Sequence, residues 1–262
     1  MPDAKTIRIV SWNIRAGGGR RANGILEQLL EWRADIIGLA EFRGTSASQW
    51  LAAQLAETGY SFQLSSANPA SPASNALLLA SRYPLHALTL PAMPTNAERW
   101  LLARVEAEPA ITLALMHIPN YTTPTLKYPY LASVLKMLDA WDTGPGLLIG
   151  DANCGKHIID EEIPSSAKFR REHDWIIGVE QRGWVDAFRH LQGDQREYTW
   201  YSHRNNGFRL DYAFTSPQLT PAIVGMRHAW GVDSDNRHRR EALSDHAAII
   251  LDLGRSKIRK DL

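Results

Sequence analysis

Carboxylate, amide and imidazole side chains recur in five short segments of this chain: Ser11-Trp12-Asn13, Ala40-Glu41, Gly150-Asp151-Ala152-Asn153, Arg209-Leu210-Asp211-Tyr212 and Ser244-Asp245-His246. Each is expected at the end of a strand-like apolar run, where many α/β folds gather their chemistry. Hydrolysis of a phosphodiester needs charge neutralised on the phosphate oxygens, a water activated and the leaving oxygen stabilised. Hard carboxylate and amide oxygens suit Mg²⁺, with Mn²⁺ as a substitute, and the Cys/His clusters of a zinc site are missing. The segments together predict a metal site that cleaves phosphoesters.

The elements that must position these groups follow from periodicity. Residues 7–12 read as a strand, 25–32 as an amphipathic helix and 35–40 as a buried strand, a β-α-β opening. A helix over 51–57 and a strand over 76–81 follow, the latter stopped at Arg82-Tyr83-Pro84. Residues 100–106 and 111–117 fit a hairpin turned by Ala107-Glu108-Pro109-Ala110, and 126–141 carries the longest helical pattern, closed by Gly144-Pro145. Residues 147–149 lead into Gly150-Asp151; beyond them come a helix over 174–181 and strands near 198–202, 210–215, 223–228 and 247–253. Mixed sheets with helices outside predict a layered α/β or α+β sandwich.

The 262 residues show no linker or low-complexity tract, so one domain over 1–262 is expected. Lys plus Arg number 29 against 28 acidic residues, leaving little net charge to attract a polyanion. Local basic clusters at Arg20-Arg21, 168–171, 204–209 and 237–240 fall in expected loops or helix starts, where they could line one phosphate-binding face. Cys154 stands alone, so no intramolecular disulfide can form, and it reads as a small buried residue. With no apolar leader and no run long enough to span a bilayer, the expectation is a cytoplasmic protein, with no membrane association and no obligate protein partner. Gly17-Gly18-Gly19 lacks the Lys and Ser/Thr of a nucleotide-binding loop and is expected to bend tightly or pass close to substrate.

The order and flanks of the five segments resemble the endonuclease/exonuclease/phosphatase superfamily from about Ile7 to Leu253. That resemblance implies a four-layer sandwich: two packed mixed β-sheets with helices on both outer faces. It also implies Glu41 as principal Mg²⁺ ligand assisted by Asn13, with Asp245 near the metal. Asp151 would orient or deprotonate the attacking water and Asn153 hold the phosphate. Extended backbone would point the Asp151 and Asn153 side chains the same way. Asp211 would orient His246, which could then donate to a phosphate oxygen.

His117-Ile118-Pro119-Asn120 separates branches of the superfamily, because AP endonucleases and exonuclease III typically carry tyrosine where His117 stands. His117 is expected to contact the scissile phosphate or protonate the leaving oxygen, with Asn120 beside it. The stretch from Tyr198 to Asp211 resembles the abasic-sugar pocket of exonuclease III-like enzymes, with Trp200, Phe208 and Leu210 as apolar lining. Core packing is the competing account of those side chains. The branch resemblance implies a Mg²⁺-dependent DNA endonuclease or exonuclease, with abasic-site incision within its scope. Hydrolysis of a small-molecule or lipid phosphoester is the alternative, favoured by His117 and the near-neutral charge; a catalytically dead binding module is the third reading.

Overall fold

The computed structural model describes residues 5–164, 170–231 and 243–258. In chain order the strands and helices are β1 (Thr6–Asn13), α1 (Ala22–Glu31), β2 (Ile36–Phe42), α2 (Ser46–Glu57), β3 (Phe62–Ser65), β4 (Ala76–Ser81), β5 (Leu85–Ala87), β6 (Trp100–Val105), β7 (Ile111–His117), α3 (Pro124–Asp139), β8 (Gly146–Asp151), α4 (Arg170–Glu180), β9 (Val185–Asp186), α5 (Ala187–Gln192), β10 (Trp200–Tyr201), β11 (Gly207–Phe208), β12 (Asp211–Thr215), β13 (Ile223–Ala229) and β14 (Ala248–Gly254). One six-stranded sheet runs β13-β14-β1-β2-β4-β3, the other β5-β6-β7-β8-β12-β9, and β10-β11 form a small ribbon. Both large sheets are mixed: β1 is parallel to β2 and β7 to β8, while the other neighbours are antiparallel.

Successive strand residues face opposite sides of a sheet, and here both sides are apolar. Ile7, Ile9, Ile36, Leu77 and Leu79 of the first sheet pack against Leu113, Leu115, Leu147 and Ile149 of the second, forming the central core. Their neighbours Val10, Trp12, Ile37 and Leu39 turn outward onto Ile25 and Leu29 of α1 and Leu51 and Leu55 of α2. On the opposite outer face, Met116, Leu148, Tyr212 and Phe214 pack on Leu131 and Val134 of α3 and Trp175 and Ile176 of α4. These contacts make the layered sandwich that the periodicities predict and the four layers that the family resemblance implies. Short edge elements escape the sequence reading because β3, β5 and β9 span only two to four residues.

One expectation is overturned inside this frame. Arg209, grouped by sequence with the exposed basic loops, is fully buried. Its guanidinium bonds Asp160 Oδ1 at 2.8 Å and Asp186 Oδ2 at 2.7 Å and lies 4.1 Å from the Tyr212 ring centre. A buried cation requires paired, hydrogen-bonded partners, and two carboxylates supply them. Asp186 also caps α5 by accepting from the amides of Phe188 and Arg189, while Arg209 N–H donates to Asp160 O. The network therefore braces the entry to β12, the strand that begins at Asp211. Of the other basic clusters, residues 168–169 and 237–240 lie outside the described residues.

Arg209→Met would leave Asp186 and part of the Asp160 charge uncompensated. Breaking a buried pair in this way costs about 3–5 kcal/mol, measurable as a lower denaturation midpoint. Burial alone would raise Asp160, yet the Arg209 and Arg189 charges pull it down to about 2. Its stabilisation is therefore complete above the ordinary carboxylate value of about 3.9 and is lost as pH falls toward about 2. Acid unfolding of the wild type over that window should be blunted in the variant; an unchanged acid limb and midpoint would contradict the assignment.

Candidate active site

The five segments meet at one rim of the sandwich, by a route that differs from the expectation. Asn13, Glu41 and Asp151 stand at or near the C-terminal ends of β1, β2 and β8, and His117 ends β7. Asp211 instead opens β12, and Asp245-His246 precede β14. Because β12 runs antiparallel to β8 and β14 antiparallel to β1, their starting ends reach the same rim. Asp211 sits opposite Asp151 in the ladder, and His117 opposite Asp151 on the other side. Gly150 precedes that junction at φ 139°, and a Cβ there would lie 2.1 Å from Met116 O, so a side chain would push β7 off β8.

Glu41 lies where the β2–β4 register shifts, with φ 55°, a bulge that re-aims its carboxylate. Facing it, residues 15–19 all take positive φ, from Arg15 and Ala16 through Gly17-Gly18-Gly19, so the expected tight bend is a continuous left-handed turn. The turn presents Ala16 N–H to Glu41 Oε2 at 2.7 Å and Gly17 N–H to Glu41 O at 2.7 Å. Asn13 Oδ1 accepts from Arg15 N–H at 2.9 Å, while Asn13 Nδ2 donates to Asp151 Oδ2 at 2.9 Å and to Glu41 Oε1 at 3.4 Å. Arg21, from one of the basic clusters, is tied down by the carbonyls of Ile14, Arg15 and Leu243.

Asp151 is the hub. Besides Asn13, its Oδ2 faces His117 Nε2 at 3.6 Å and His246 Nε2 at 3.9 Å, and Oδ1 accepts Asn153 N–H at 3.0 Å. Burial raises its pKa, against the pull of His246 and the other donors. His246 Nδ1 lies 3.0 Å from Asp211 Oδ2. Burial disfavours its charge, but the Asp211 and Asp151 carboxylates reverse this and lift His246 to about 10. His117 goes the other way: burial dominates and, despite Asp151, holds it down to about 4.

Asn153 corrects the extended-backbone reading. It has φ 47°, and its side-chain amide donates to Ile118 O at 2.9 Å. A turn closed by the Asp151 carboxylate brings the two residues to the same cavity, in place of strand alternation. That cavity, of about 350 Å³, is lined by Glu41, Asp245, Asp151 and His246 and by Trp200, Phe208 and Leu210, with the Trp200 ring 6.4 Å from that of His246. Trp200, Phe208 and Leu210 form a small apolar cluster of their own, apart from the main core, with the Trp200 and Phe208 rings 5.9 Å apart. Asn120 also lines the cavity.

The sequence reading missed Arg99, Lys127 and Glu172, which share the lining. Buried Lys127 donates to Asn153 O at 2.7 Å and pairs with buried Glu172 at 3.0 Å. A lysine inside an apolar helical stripe was the available signal. Cys154 is buried, and burial pushes its thiol up to about 12, which removes it as a nucleophile.

Asp151, Asp211 and His246 could bring ligand atoms within 4.8 Å of one another. An imidazole held as a cation makes a poor ligand, since metal binding requires the neutral ring. A hard divalent cation is better suited by the carboxylates of Glu41 and Asp245, which line the cavity, and by the second lone pair on Asn13 Oδ1, whose amide bonds Glu41.

The endonuclease/exonuclease/phosphatase family matches residues 10–246, and the chain belongs to it; it is a hydrolase of phosphoester bonds. Among solved structures, it is similar to the 3′-phosphatase NExo from Neisseria bound to a product DNA hairpin, with 21% identity, 94% of this chain and 99% of that one covered, and a TM-score of 0.76. It is likewise similar to an AP endonuclease from Archaeoglobus fulgidus, with 18% identity, 94% and 98% coverage and a TM-score of 0.76. Recombination repair protein 1 of Drosophila melanogaster is 35% identical over 130 residues, 45% of this chain; the match spans 17% of that relative's length. Among the described residues no helix is long and apolar enough to cross a membrane.

The two histidines should titrate far apart in metal-free protein. His246 should stay doubly protonated until pH approaches about 10, and His117 neutral until pH falls toward about 4. Ring ¹⁵N resonances followed against pH will check this. Titration of both near the ordinary value of about 6.5 would remove the charge assignment.

Proposed function

We propose that the chain hydrolyses phosphodiester bonds of DNA in a Mg²⁺-dependent reaction, as an endonuclease or exonuclease that incises at abasic sites. The observation that carries this reading is the setting of Asp151: a buried carboxylate of raised pKa, ringed by Asn13, His117 and His246, beside the Glu41 and Asp245 carboxylates. Asp151 has the geometry and the pKa direction of a group that accepts a proton from an attacking water. His246, cationic against Asp211, would bind a phosphoryl oxygen and stabilise charge that grows on it in the transition state. Asn153 and Asn120, which line the same cavity, would hold the phosphate. Trp200, Phe208 and Leu210 offer an apolar recess that suits a sugar turned out of the helix.

Glu41, Asn13 and Asp245 would hold Mg²⁺, or Mn²⁺ in its place, which when bound supplies neutralising charge to the phosphate and to the leaving oxygen. Ala16 N–H fixes one Glu41 oxygen and leaves the other directed toward Asn13. A second reading, hydrolysis of a small-molecule or lipid phosphoester, draws its support from His117 at the position that sets this chain apart from the tyrosine-bearing branch.

Labelled duplexes with and without one abasic site, incubated in Mg²⁺ and in EDTA, test the proposal. Mg²⁺-dependent incision at the abasic site is expected. Intact single-stranded, duplex and abasic DNA, with inorganic phosphate released from a phosphomonoester panel, would transfer the assignment to the second reading.

Two variants probe the roles. Asp151→Asn should preserve the fold and lower turnover by at least about 10²–10⁴-fold, and unchanged turnover would take Asp151 out of the reaction. Glu41→Gln should shift the activating Mg²⁺ concentration upward through loss of a ligand charge; an identical metal titration would contradict that role.

A further inference from the structure

Arg99 stands at the edge of the cavity, immediately before β6, and is partly buried. Its Nη1 lies 3.2 Å from His117 Nδ1 and 3.5 Å from His117 O, so one guanidinium nitrogen addresses two atoms of the same histidine. The Arg99 backbone is fixed independently. Its N–H donates to Asn96 O at 3.0 Å, and its carbonyl accepts the hydroxyl of buried Tyr130, on α3, at 2.9 Å. Among the described residues no carboxylate forms an ion pair with Arg99.

A guanidinium has five N–H donors and no acceptor. Opposite it, His117 Nδ1 can be satisfied only as a lone pair, because a proton there would set two donors against each other. The neutral ring then carries its proton on Nε2, the nitrogen that points across the cavity toward Asp151 Oδ2 at 3.6 Å. His246 has the opposite arrangement, with Nδ1 against the Asp211 carboxylate.

We propose that Arg99 is a positioning residue that locks His117 as the neutral Nε2–H tautomer, so that His117 offers a substrate phosphoryl oxygen a fixed hydrogen-bond donor and is not the proton source for the leaving oxygen. The substrate part of this inference rests on the phosphoester-hydrolysis reading given above; the tautomer part concerns the free protein alone. Of the two roles the sequence suggests for His117, phosphate contact is kept and proton donation is discarded. Preorganised donors of this kind act without reorienting as the reaction proceeds.

The test is long-range ¹H–¹⁵N correlation of the histidine rings in metal-free protein without substrate, at neutral pH. Wild type should show His117 with an unprotonated Nδ1 and a protonated Nε2. Arg99→Met should lose that single pattern and populate Nδ1–H, whereas Arg99→Lys, which retains a donor, should preserve it. A protonated Nδ1 in wild type, or an unchanged pattern in Arg99→Met, overturns the proposal.

Kinetics supply the second arm, on whichever phosphoester the wild type cleaves. Arg99→Met should lower kcat by about 10–100-fold. The same change made in a His117→Asn background should cost little more, since its effect passes through the ring. A fully additive loss would show that Arg99 does not act through His117. Wild-type protein inactive on DNA but carrying the locked tautomer would count against the proposed substrate and leave the Arg99 assignment standing.

Discussion

Two hydrogen bonds that cross between the sheets are the constraint on which the rest of the molecule depends. Asn13, on the first sheet, donates to Asp151 on the second, and His246, leading into the first sheet, meets Asp211 on the second. In the central core the sheets meet through apolar side chains, which set their spacing but tolerate small sliding displacements. The polar clasps fix that sliding coordinate, because buried donors and acceptors lose a large free energy when they miss their partners. The same alignment brings two imidazoles, His117 and His246, within 4 Å of the Asp151 carboxylate. Fold register and site geometry are thus one condition, and a shift of either sheet would undo both.

Charge balance explains why the cluster can exist under burial. Asp151 and Asp211 are both enclosed, and two adjacent carboxylates without compensation would not remain ionised together. A cationic His246 between them supplies one compensating charge, while burial, with the neighbouring Asp211 carboxylate, still keeps the Asp151 pKa raised. Below this rim, Arg209 solves the same problem for Asp160 and Asp186, and through its backbone bond to Asp160 O it holds the chain just before Asp211. The lower network is structural and closed to the cavity. The upper one is open to it, and only the upper one carries groups poised to exchange protons.

How much of this was legible in the sequence follows from which physical rule each residue obeys. The layers could be read because buried strands and amphipathic helices carry their own periodicities, and the site motifs because their residue types rarely serve packing. Arg209 was misread because a charge in a polar stretch looks exposed, and its burial depends on Asp160 and Asp186, 49 and 23 positions away. Arg99 was missed because it acts on a residue 18 positions distant with no local motif to announce it, and Lys127, whose partner lies 26 positions away, showed only as a lysine within an apolar helical stripe. The Asn153 error was one of backbone, since alternation holds only while the chain stays extended, and here it leaves the strand at once.

Among the described residues, four of the eight non-glycine residues with positive φ stand where the carboxylates must be aimed. Arg15, Ala16, Glu41 and Asn153 are non-glycine residues with positive φ, each costing about 1–3 kcal/mol relative to relaxed backbone. All four lie at the rim, and each conformation delivers a specific donor or acceptor: Arg15 N–H to Asn13, Ala16 N–H to Glu41, the bulged Glu41 carboxylate to Asn13, and Asn153 N–H to Asp151. The apolar layers beneath are regular and deeply packed, and they supply the stability against which such strain can persist. A relaxed Glu41 would return to the β2–β4 ladder and, by the two-residue alternation of a strand, swing its carboxylate to another face. The bulge is therefore the element that converts a buried strand into one edge of a polar cavity, and the left-handed turn opposite it exists to hold that bulge in place.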